Sequence, residues 1–229
     1  MINGIDAKDK WLIERMGKFT ASENHKLLGK AKDGSMFGSV AMGYIKQKAV
    51  ECLTSYWENP KMEFAKPLLH GKLLESAAFD HYCRCTRNNS MRYLGTENPL
   101  YFDYKDENGN ILDAGGSPDG IMGQGEKVTW VLELKCPFNP SLHFEILQLK
   151  DQYDLKEYSP EWYCQVMFLI MTLKAEGAHF FSFDERYKDP GRRGKIIEVV
   201  PDKNYMNNLE CRVIQAIYER DRIIACLQC

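Results

Sequence analysis

Two carboxylates and one lysine stand close together in the middle of the sequence. Asp119 precedes a Gly-Gln-Gly-Glu turn, and Glu133 and Lys135 follow that turn within the alternating segment 128–135. Because strand side chains repeat every two residues, Glu133 and Lys135 share one face of a strand. If the turn reverses the chain, Asp119 comes to lie beside Glu133. The pattern therefore predicts two converging carboxylates with an ammonium group alongside.

Such a cluster suits metal-assisted hydrolysis of a phosphodiester. Mg²⁺ prefers one or two carboxylates together with water and substrate phosphate oxygens, and it both neutralises charge and activates the attacking water. Lys135 then has three open roles: orienting that water, deprotonating it, or stabilising the developing negative charge. An isolated Glu-x-Lys pair is also typical of an exposed ion pair on an amphipathic strand, so the cluster alone does not decide the chemistry.

Two further polar residues lie in segments that predict helices. Glu75 follows Gly71 by one helical turn on a largely apolar face. Either its carboxylate reaches the metal site, or Glu75 is simply a polar residue at the edge of an amphipathic helix. Gln165 is the strongly polar residue in the centre of the apolar segment 162–173, where burial demands hydrogen-bond partners. It either holds a water or a phosphate, or satisfies a neighbouring backbone group.

Other kinds of catalytic site find little support. The five histidines form no zinc-type pair, Ser117 lacks the G-x-S-x-G elbow, and no glycine-rich loop matches a nucleotide-binding fingerprint. Metal-assisted hydrolysis is the chemistry that remains.

Composition predicts one soluble domain covering residues 1–229. The 229 residues are 44% hydrophobic, which is enough for one substantial core. No apolar run is long enough to span a membrane and residues 1–10 lack the apolar stretch of a secretory signal, so we expect a cytoplasmic protein with no membrane partner.

The net charge of −2 excludes recruitment of a polyanion by bulk attraction. The densest basic stretch, residues 186–195, is either a solvated hairpin tip or a phosphate-contacting loop.

The eight cysteines are scattered through the chain, which is typical of reduced thiols rather than of a disulfide framework. An alternative is an iron–sulfur cluster, because Cys226 and Cys229 form a CxxC pair and Cys211 lies upstream on the same predicted helix.

Hydrophobic periodicity and turn residues predict a mixed order of helices and strands. The predicted elements are a helix ending over 11–16, a helix opened by a capping box of Thr20 and Glu23, helices over 39–57 and 67–83, strands over 99–104, 111–114, 119–122 and 128–135, a buried helix over 161–173, strands over 178–183 and 195–200, and a helix over 202–227. The four central strands are expected to form a small antiparallel sheet. The chain is thus predicted to be α/β, with its sheet in the centre and helices at both ends.

Several blocks of the sequence, taken in order, resemble one known family. The blocks are Trp11 with Arg15-Met16-Gly17 and Thr20-Ala21-Ser22-Glu23, then Gly71-Lys72 leading to Glu75, Ser117-Pro118-Asp119-Gly120, Leu132-Glu133-Leu134-Lys135-Cys136-Pro137, and Cys164-Gln165-Val166. Together they resemble the PD-(D/E)xK nucleases, specifically the λ-exonuclease or YqaJ-like viral recombinase family. The resemblance implies a restriction-endonuclease-like core with a central mixed sheet flanked by helices.

The resemblance also assigns roles within the site. Asp119, Glu133 and the carbonyl of Leu134 would hold Mg²⁺, for which Mn²⁺ can substitute, and Glu75 would assist a second metal position. Lys135 would be the catalytic lysine, and Gln165 would also belong to the catalytic site. A second group would bind a 5′-terminal phosphate: Arg15, Ser22 and Ser117. We expect Ser22 to lie in the first turn of the helix capped by Thr20, where free N–H groups favour an anion.

By the same resemblance, the activity is 5′→3′ degradation of one strand of duplex DNA from an end, leaving a 3′ single strand for a partner annealing protein. Family members form trimeric rings and act in the bacterial host of a phage or prophage. The alternatives are an endonuclease or junction resolvase on the same core, and an inactive scaffold for an annealing protein. A scaffold has no need for clustered carboxylates that repel each other without metal.

The sequence departs from the family pattern at three points. The stretch between Asp119 and Glu133 is longer, the second glutamine after Gln165 is replaced by Met167, and the acidic residue expected upstream of Ser117 is either absent or supplied by Asp113.

Overall fold

The computed structural model describes residues 7–29, 31, 34–55, 66–87, 90–95, 99–124 and 127–227. Its helices are α1 (Ala7–Arg15), α2 (Ser39–Thr54), α3 (Lys66–Thr86), α4 (Pro140–Gln148), α5 (Gln152–Tyr158), α6 (Pro160–Leu173) and α7 (Lys203–Cys226). Its strands are β1 (Phe19–Thr20), β2 (Arg92–Tyr93), β3 (Phe102–Lys105), β4 (Ile111–Gly116), β5 (Gly120–Gln124), β6 (Lys127–Lys135), β7 (Gly177–Phe183) and β8 (Gly194–Val199). Short 3₁₀ helices cover Asn24–Leu28 and Pro190–Arg192.

The strands form two mixed sheets with helices packed against them. The larger has the order β2-β5-β6-β7-β8, in which β6 and β7 run parallel and the other pairs are antiparallel. The smaller has the order β1-β4-β3, in which β1 and β4 are parallel. Helices α4, α5 and α6 form the long crossover that a parallel β6–β7 pair requires. The predicted α/β class with a mixed sheet flanked by helices is confirmed.

Strand β6 separates two hydrophobic clusters, because its successive side chains point to opposite faces. Leu132 and Leu134 pack with Tyr82 of α3 and with Phe181 and Phe183 of β7. Val131, on the other face, belongs to the cluster built around the buried helix α6. Glu133 and Lys135 therefore face α6, as the alternation of the sequence predicted.

The expectation that the four central strands form one antiparallel sheet is wrong. Strands β3 and β4 pair in the smaller sheet, whereas β5 and β6 pair in the larger one. The break falls at Ser117 and Pro118, and proline has no N–H with which to continue a ladder. The sequence reading also missed α4 and α5, which are short but carry side-chain caps at Asn139 and Asp151.

The capping box at Thr20 is also wrong. Thr20 ends β1, where it pairs in register with Gly115 of β4 and its N–H donates to the hydroxyl of Tyr44 at 3.0 Å. Glu23 instead accepts a hydrogen bond from Lys26 at 2.7 Å, and the short 3₁₀ helix that follows has no side-chain cap. The N–H of Ala21 donates to the carbonyl of Gly115 at 2.9 Å, so pairing with β4 continues where the helix was predicted to begin.

Helix α2 ends at Thr54, before the predicted end at Trp57, which lies outside the described residues. Cys211 and Cys226 are exposed, Cys229 lies outside the described part, and within that part no three His, Cys, Asp or Glu side chains come together to hold a metal. Across the same residues, no helix has both the length and the apolar character needed to cross a bilayer.

Candidate active site

A cavity of about 470 Å³ opens where α1, α3, α6, the β4–β5 connection and the end of β6 meet. All the residues predicted for the site line it: Arg15, Ser22, Glu75, Ser117, Asp119, Glu133, Leu134, Lys135 and Gln165. Asp113 does not line it, because its carboxylate accepts from Arg220 at 2.6 Å on another side of β4. The fold therefore brings segments from across the chain to one concave surface.

Asp119 is held at the start of β5 by the neighbouring strand β6. Its N–H donates to the carbonyl of Leu132 at 3.1 Å, and its carboxylate Oδ2 accepts from the N–H of Leu134 at 2.6 Å. Its carbonyl accepts from the N–H of Leu94 at 2.9 Å. These contacts fix the carboxylate beside Glu133, as the hairpin spacing predicted.

Glu133, Lys135 and Gln165 form a closed triangle of hydrogen bonds. Glu133 Oε1 accepts from Lys135 Nζ at 2.7 Å and from Gln165 Nε2 at 2.7 Å, and Lys135 Nζ also donates to Gln165 Oε1 at 3.1 Å. Glu133 is 3% exposed, so the pair is not the solvated surface ion pair that an isolated Glu-x-Lys suggests. Gln165 orients the lysine and the carboxylate rather than a backbone group.

The charges of the site perturb one another. Burial raises the pKa of Asp119 well above its ordinary value, and the neighbouring carboxylates of Glu133 and Glu75 raise it further. Burial alone would lower the pKa of Lys135, but Glu133 and Asp119 outweigh it and the pKa lies above its ordinary value. The cluster therefore has an excess of negative charge that one ammonium group does not balance.

The residues present fit a divalent cation. Glu133 Oε2 is buried and has no hydrogen-bond partner among the described residues, while Oε1 is fully engaged. A buried anionic oxygen without a partner is costly unless it binds a cation. Asp119, Glu133 and the Leu134 carbonyl supply the hard oxygen ligands that Mg²⁺ prefers. Glu75 accepts from the hydroxyl of Tyr93 at 2.9 Å, so its part in a second metal position stays a prediction.

The cavity is also lined by a cation and two hydroxyl groups, those of Arg15, Ser22 and Ser117. The Arg15 guanidinium lies 4.0 Å from the centre of the Trp11 ring, and the Trp11 indole N–H donates to Ser117 Oγ at 2.7 Å. Because Ser117 accepts from Trp11, it keeps its own O–H to donate into the cavity. Ser22 lies in the turn after β1, without the helix N-terminus that we expected beside it.

Sequence reasoning noted Trp11 only as part of a motif and missed its role in placing both Arg15 and Ser117. The spacing of four residues between Trp11 and Arg15 on α1 was the available signal, since such residues are neighbours on a helix. Tyr101 also lines the cavity and was not predicted.

The turn after α1 is clamped from two sides. Gly17 has a φ of +74°, its N–H donates to Glu51 Oε2 at 2.9 Å, and its carbonyl accepts from Arg220 at 2.7 Å. Glu51 is itself paired with Lys48 at 2.9 Å, and both are buried. A side chain at position 17 would collide with the Cys52 sulfur, so glycine is required there. This clamp fixes the turn that begins directly after Arg15, which lines the cavity.

The basic stretch forms the turn between β7 and β8. Arg186 donates to the carbonyls of Pro137 and Phe138 at 3.0 Å each and pairs with the buried Asp184 at 2.8 Å. This cation therefore braces the loop that follows β6. Arg192 is exposed and pairs with Asp189 at 3.4 Å, which leaves both earlier interpretations of the tip open.

Comparisons with known proteins give the family and the fold of the chain. The model of the YqaJ-like viral recombinase domain matches residues 10–176. The fold is similar to an alkaline exonuclease, LHK-Exo, from Laribacter hongkongensis (TM-score 0.77, 22% identity, 96% of both chains), and to LHK-Exo in complex with dAMP (TM-score 0.73, 21% identity, 96% of both chains). It is also similar to a phage related exonuclease from Haemophilus somnus 129PT, with a TM-score of 0.64, 16% identity and coverage of 92% of this chain and 96% of that one. No curated protein sequence matches the chain. The family model covers most of the sequence and all the predicted site residues, and the chain belongs to the YqaJ-like viral recombinase family.

Proposed function

We propose that the chain is a Mg²⁺-dependent exonuclease that degrades one strand of linear double-stranded DNA in the 5′→3′ direction. The observation that carries the proposal is that one cavity is lined both by Asp119, Glu133 and Lys135 and by Arg15 and Ser117. A metal-binding carboxylate cluster and a cationic pocket on one surface suit a substrate that has a backbone phosphate and a terminal phosphate. The similarity of the fold to alkaline exonucleases supports the same substrate class.

The residues around Asp119 and Glu133 have separate roles in catalysis. Bound at Asp119, Glu133 and the Leu134 carbonyl, Mg²⁺ would neutralise the phosphate and lower the pKa of the attacking water. Lys135 donates hydrogen bonds to two neighbours, which favours a charged ammonium that orients the water or stabilises developing negative charge. Gln165 holds Lys135 and Glu133 in place, so the donor needs no reorganisation during the reaction.

Arg15, Ser22 and Ser117 would recognise the 5′ end of the DNA strand. Arg15 offers planar, charge-assisted hydrogen bonds that a terminal phosphate accepts and a terminal hydroxyl cannot match. Ser117 and Ser22 add hydroxyl donors on the same surface. Fixing the terminal phosphate sets which phosphodiester lies over Asp119 and Glu133, which would give steps of one nucleotide in one direction.

The proposal extends to assembly and biological role by family membership. We infer a homotrimeric ring, with Mg²⁺ replaceable by Mn²⁺, whose product is a 3′ single strand handed to an annealing protein during recombination in a bacterial cytoplasm. A ring would concentrate basic groups around a channel despite the net charge of −2 on each chain. An endonuclease or junction resolvase on the same core is the alternative.

The test is digestion of linear duplexes that differ only in a 5′-phosphate or a 5′-hydroxyl, with covalently closed circular DNA as a third substrate. We expect cleavage of linear DNA only, faster from phosphate ends, and loss of that preference in Arg15→Ala. Lys10→Ala is the matched control, because Lys10 is an exposed cation on the same helix. Cutting of the closed circle would favour the endonuclease. Equal wild-type rates on both ends would remove the phosphate pocket.

A further inference from the structure

Tyr101 has a hydroxyl that the fold leaves unused. The side chain lines the cavity, yet its Oη is buried and makes no hydrogen bond to any residue in the described part of the chain. Other buried or half-buried tyrosine hydroxyls are engaged, among them Tyr44 with Thr20, Tyr93 with Glu75 and Tyr104 with Glu210. A buried hydroxyl without a partner is unfavourable, so it calls for a partner that is absent from the free chain.

The position of the phenol is fixed by its surroundings. Its ring lies against the backbone of β4, where a Cβ on Gly115 would come within 2.7 Å of both Cζ and Oη. On another side, Lys18 Nζ lies 5.2 Å from the ring centre and is itself paired with Asp103 at 2.5 Å. The glycine at 115 thus lets the phenol approach the chain two residues before Ser117.

The phenol shares its part of the cavity with Arg15. Burial raises the pKa of Tyr101 far above its ordinary value, so the hydroxyl remains a neutral donor. The Arg15 guanidinium, which lines the same cavity, acts on the pKa of the phenol in the opposite direction. A phenol O–H, a guanidinium and the free O–H of Ser117 are all donors, and only an acceptor with several oxygens can satisfy them together.

We propose that the Tyr101 hydroxyl donates a hydrogen bond to the terminal phosphate of a DNA 5′ end and so helps to select that end. The proposal rests on the function proposed above and adds a binding residue to it. Tyr101 contacts the phosphate that positions the strand, not the reacting phosphodiester, so it acts on end recognition more than on the chemical step.

The experiment compares Tyr101→Phe with wild type and with the control variant Tyr104→Phe. Tyr104 follows Tyr101 by three residues, does not line the cavity, and donates its hydroxyl to Glu210. Binding of fluorescent duplexes with 5′-phosphate or 5′-hydroxyl ends is measured without divalent metal, so that no cleavage occurs. Digestion rates on both ends are then measured with Mg²⁺. Thermal unfolding of each free protein completes the set.

We expect Tyr101→Phe to bind phosphate ends about 10-fold more weakly, as for loss of one hydrogen bond to a charged group, with hydroxyl ends unchanged within about twofold. KM for phosphate ends should rise while kcat changes little. The Tm of the free variant should equal or exceed that of wild type, because the deleted hydroxyl has no partner to lose. Tyr104→Phe should keep the wild-type preference between the two ends.

Three results would overturn the proposal. A Tyr101→Phe variant that keeps the full phosphate preference shows that the hydroxyl does not contact the phosphate. A marked fall in Tm with that preference intact shows a structural partner. Wild-type binding that is equal on both ends removes the pocket altogether. If wild type prefers phosphate ends but cleaves neither, the nuclease proposal fails, and the binding comparison still decides the role of Tyr101.

Discussion

Replacing Lys135 with methionine is the sharpest test of the catalytic half of the site. Methionine preserves most of the apolar stem but removes the ammonium that donates to Glu133 at 2.7 Å and to Gln165 at 3.1 Å. Loss of one preorganised donor to developing charge typically lowers kcat by about 10²–10³-fold. We therefore expect kcat to fall by at least about 10²-fold, measured as single-turnover cleavage of an end-labelled duplex at saturating Mg²⁺.

The same change should not weaken the metal site. Glu133 and Asp119 keep their oxygens, and removing a neighbouring positive charge increases the negative potential that attracts a cation. The Mg²⁺ concentration for half-maximal rate should therefore stay the same or fall.

Stability gives a third, independent readout of Lys135→Met. Leaving Glu133 without its ammonium partner should cost about 3 kcal/mol in the absence of metal, which corresponds to a Tm lower by roughly 6–12 °C for a chain of this size. Saturating Mg²⁺ should recover much of that loss, because a ligand that binds only the folded chain stabilises it. Lys127→Met is the matched control, since Lys127 lies at the other end of β6 in an exposed pair with Glu176.

The reasoning about Lys135 is refuted if the half-saturating Mg²⁺ concentration rises more than about tenfold while kcat at saturation recovers toward wild type. In that case the lysine assembles the metal site and takes no part in the reaction.

Three further outcomes follow from the geometry. Glu133→Gln should abolish Mg²⁺-dependent cleavage while DNA binding without metal, measured by anisotropy, stays within about threefold, because only a metal-binding oxygen is lost. Trp11→Phe keeps an aromatic face but loses the N–H that fixes Ser117, so the rate preference for 5′-phosphate ends should fall roughly fivefold, and an unchanged preference would contradict that role. Burial raises the pKa of Asp184, but hydrogen bonds from Arg186 outweigh it, and the pKa lies below its ordinary value of 3.8. The stabilisation of the folded chain by this pair is therefore complete above about pH 5 and is lost as pH falls through and below 3.8. Asp184→Asn should cost about 2–4 kcal/mol at pH 7 in urea unfolding and flatten that acid dependence, whereas an identical pH profile would rule the pair out.

The catalytic cluster could be predicted because it depends on short-range geometry. Glu133 and Lys135 are two residues apart on one strand, and Asp119 reaches them across a single hairpin. Both relations follow from the period of a strand and the reversal of a turn, whatever the rest of the chain does.

The parts that failed depend on distant partners. The residues around Thr20 carry the local pattern of a helix start, but the backbone there pairs with Gly115. The bond from Trp11 to Ser117 joins residues 106 apart. Local sequence propensity cannot predict which of these long-range contacts form, since their free energy comes from tertiary packing. The unused hydroxyl of Tyr101 likewise becomes visible only once its neighbours are placed.

The clamp on Gly17 affects the order in which the growing chain completes its two groups of site residues during synthesis. Arg220 holds the carbonyl of Gly17 from α7, across 203 residues and beyond the range 10–176 that the family model matches. A nascent chain emerges from the ribosome with both carboxylates of the hairpin long before it has Arg220, which fixes the turn directly after Arg15. We therefore expect ribosome-arrested chains that end before α7 to show no discrimination between phosphorylated and unphosphorylated ends, and chains released at full length to gain it.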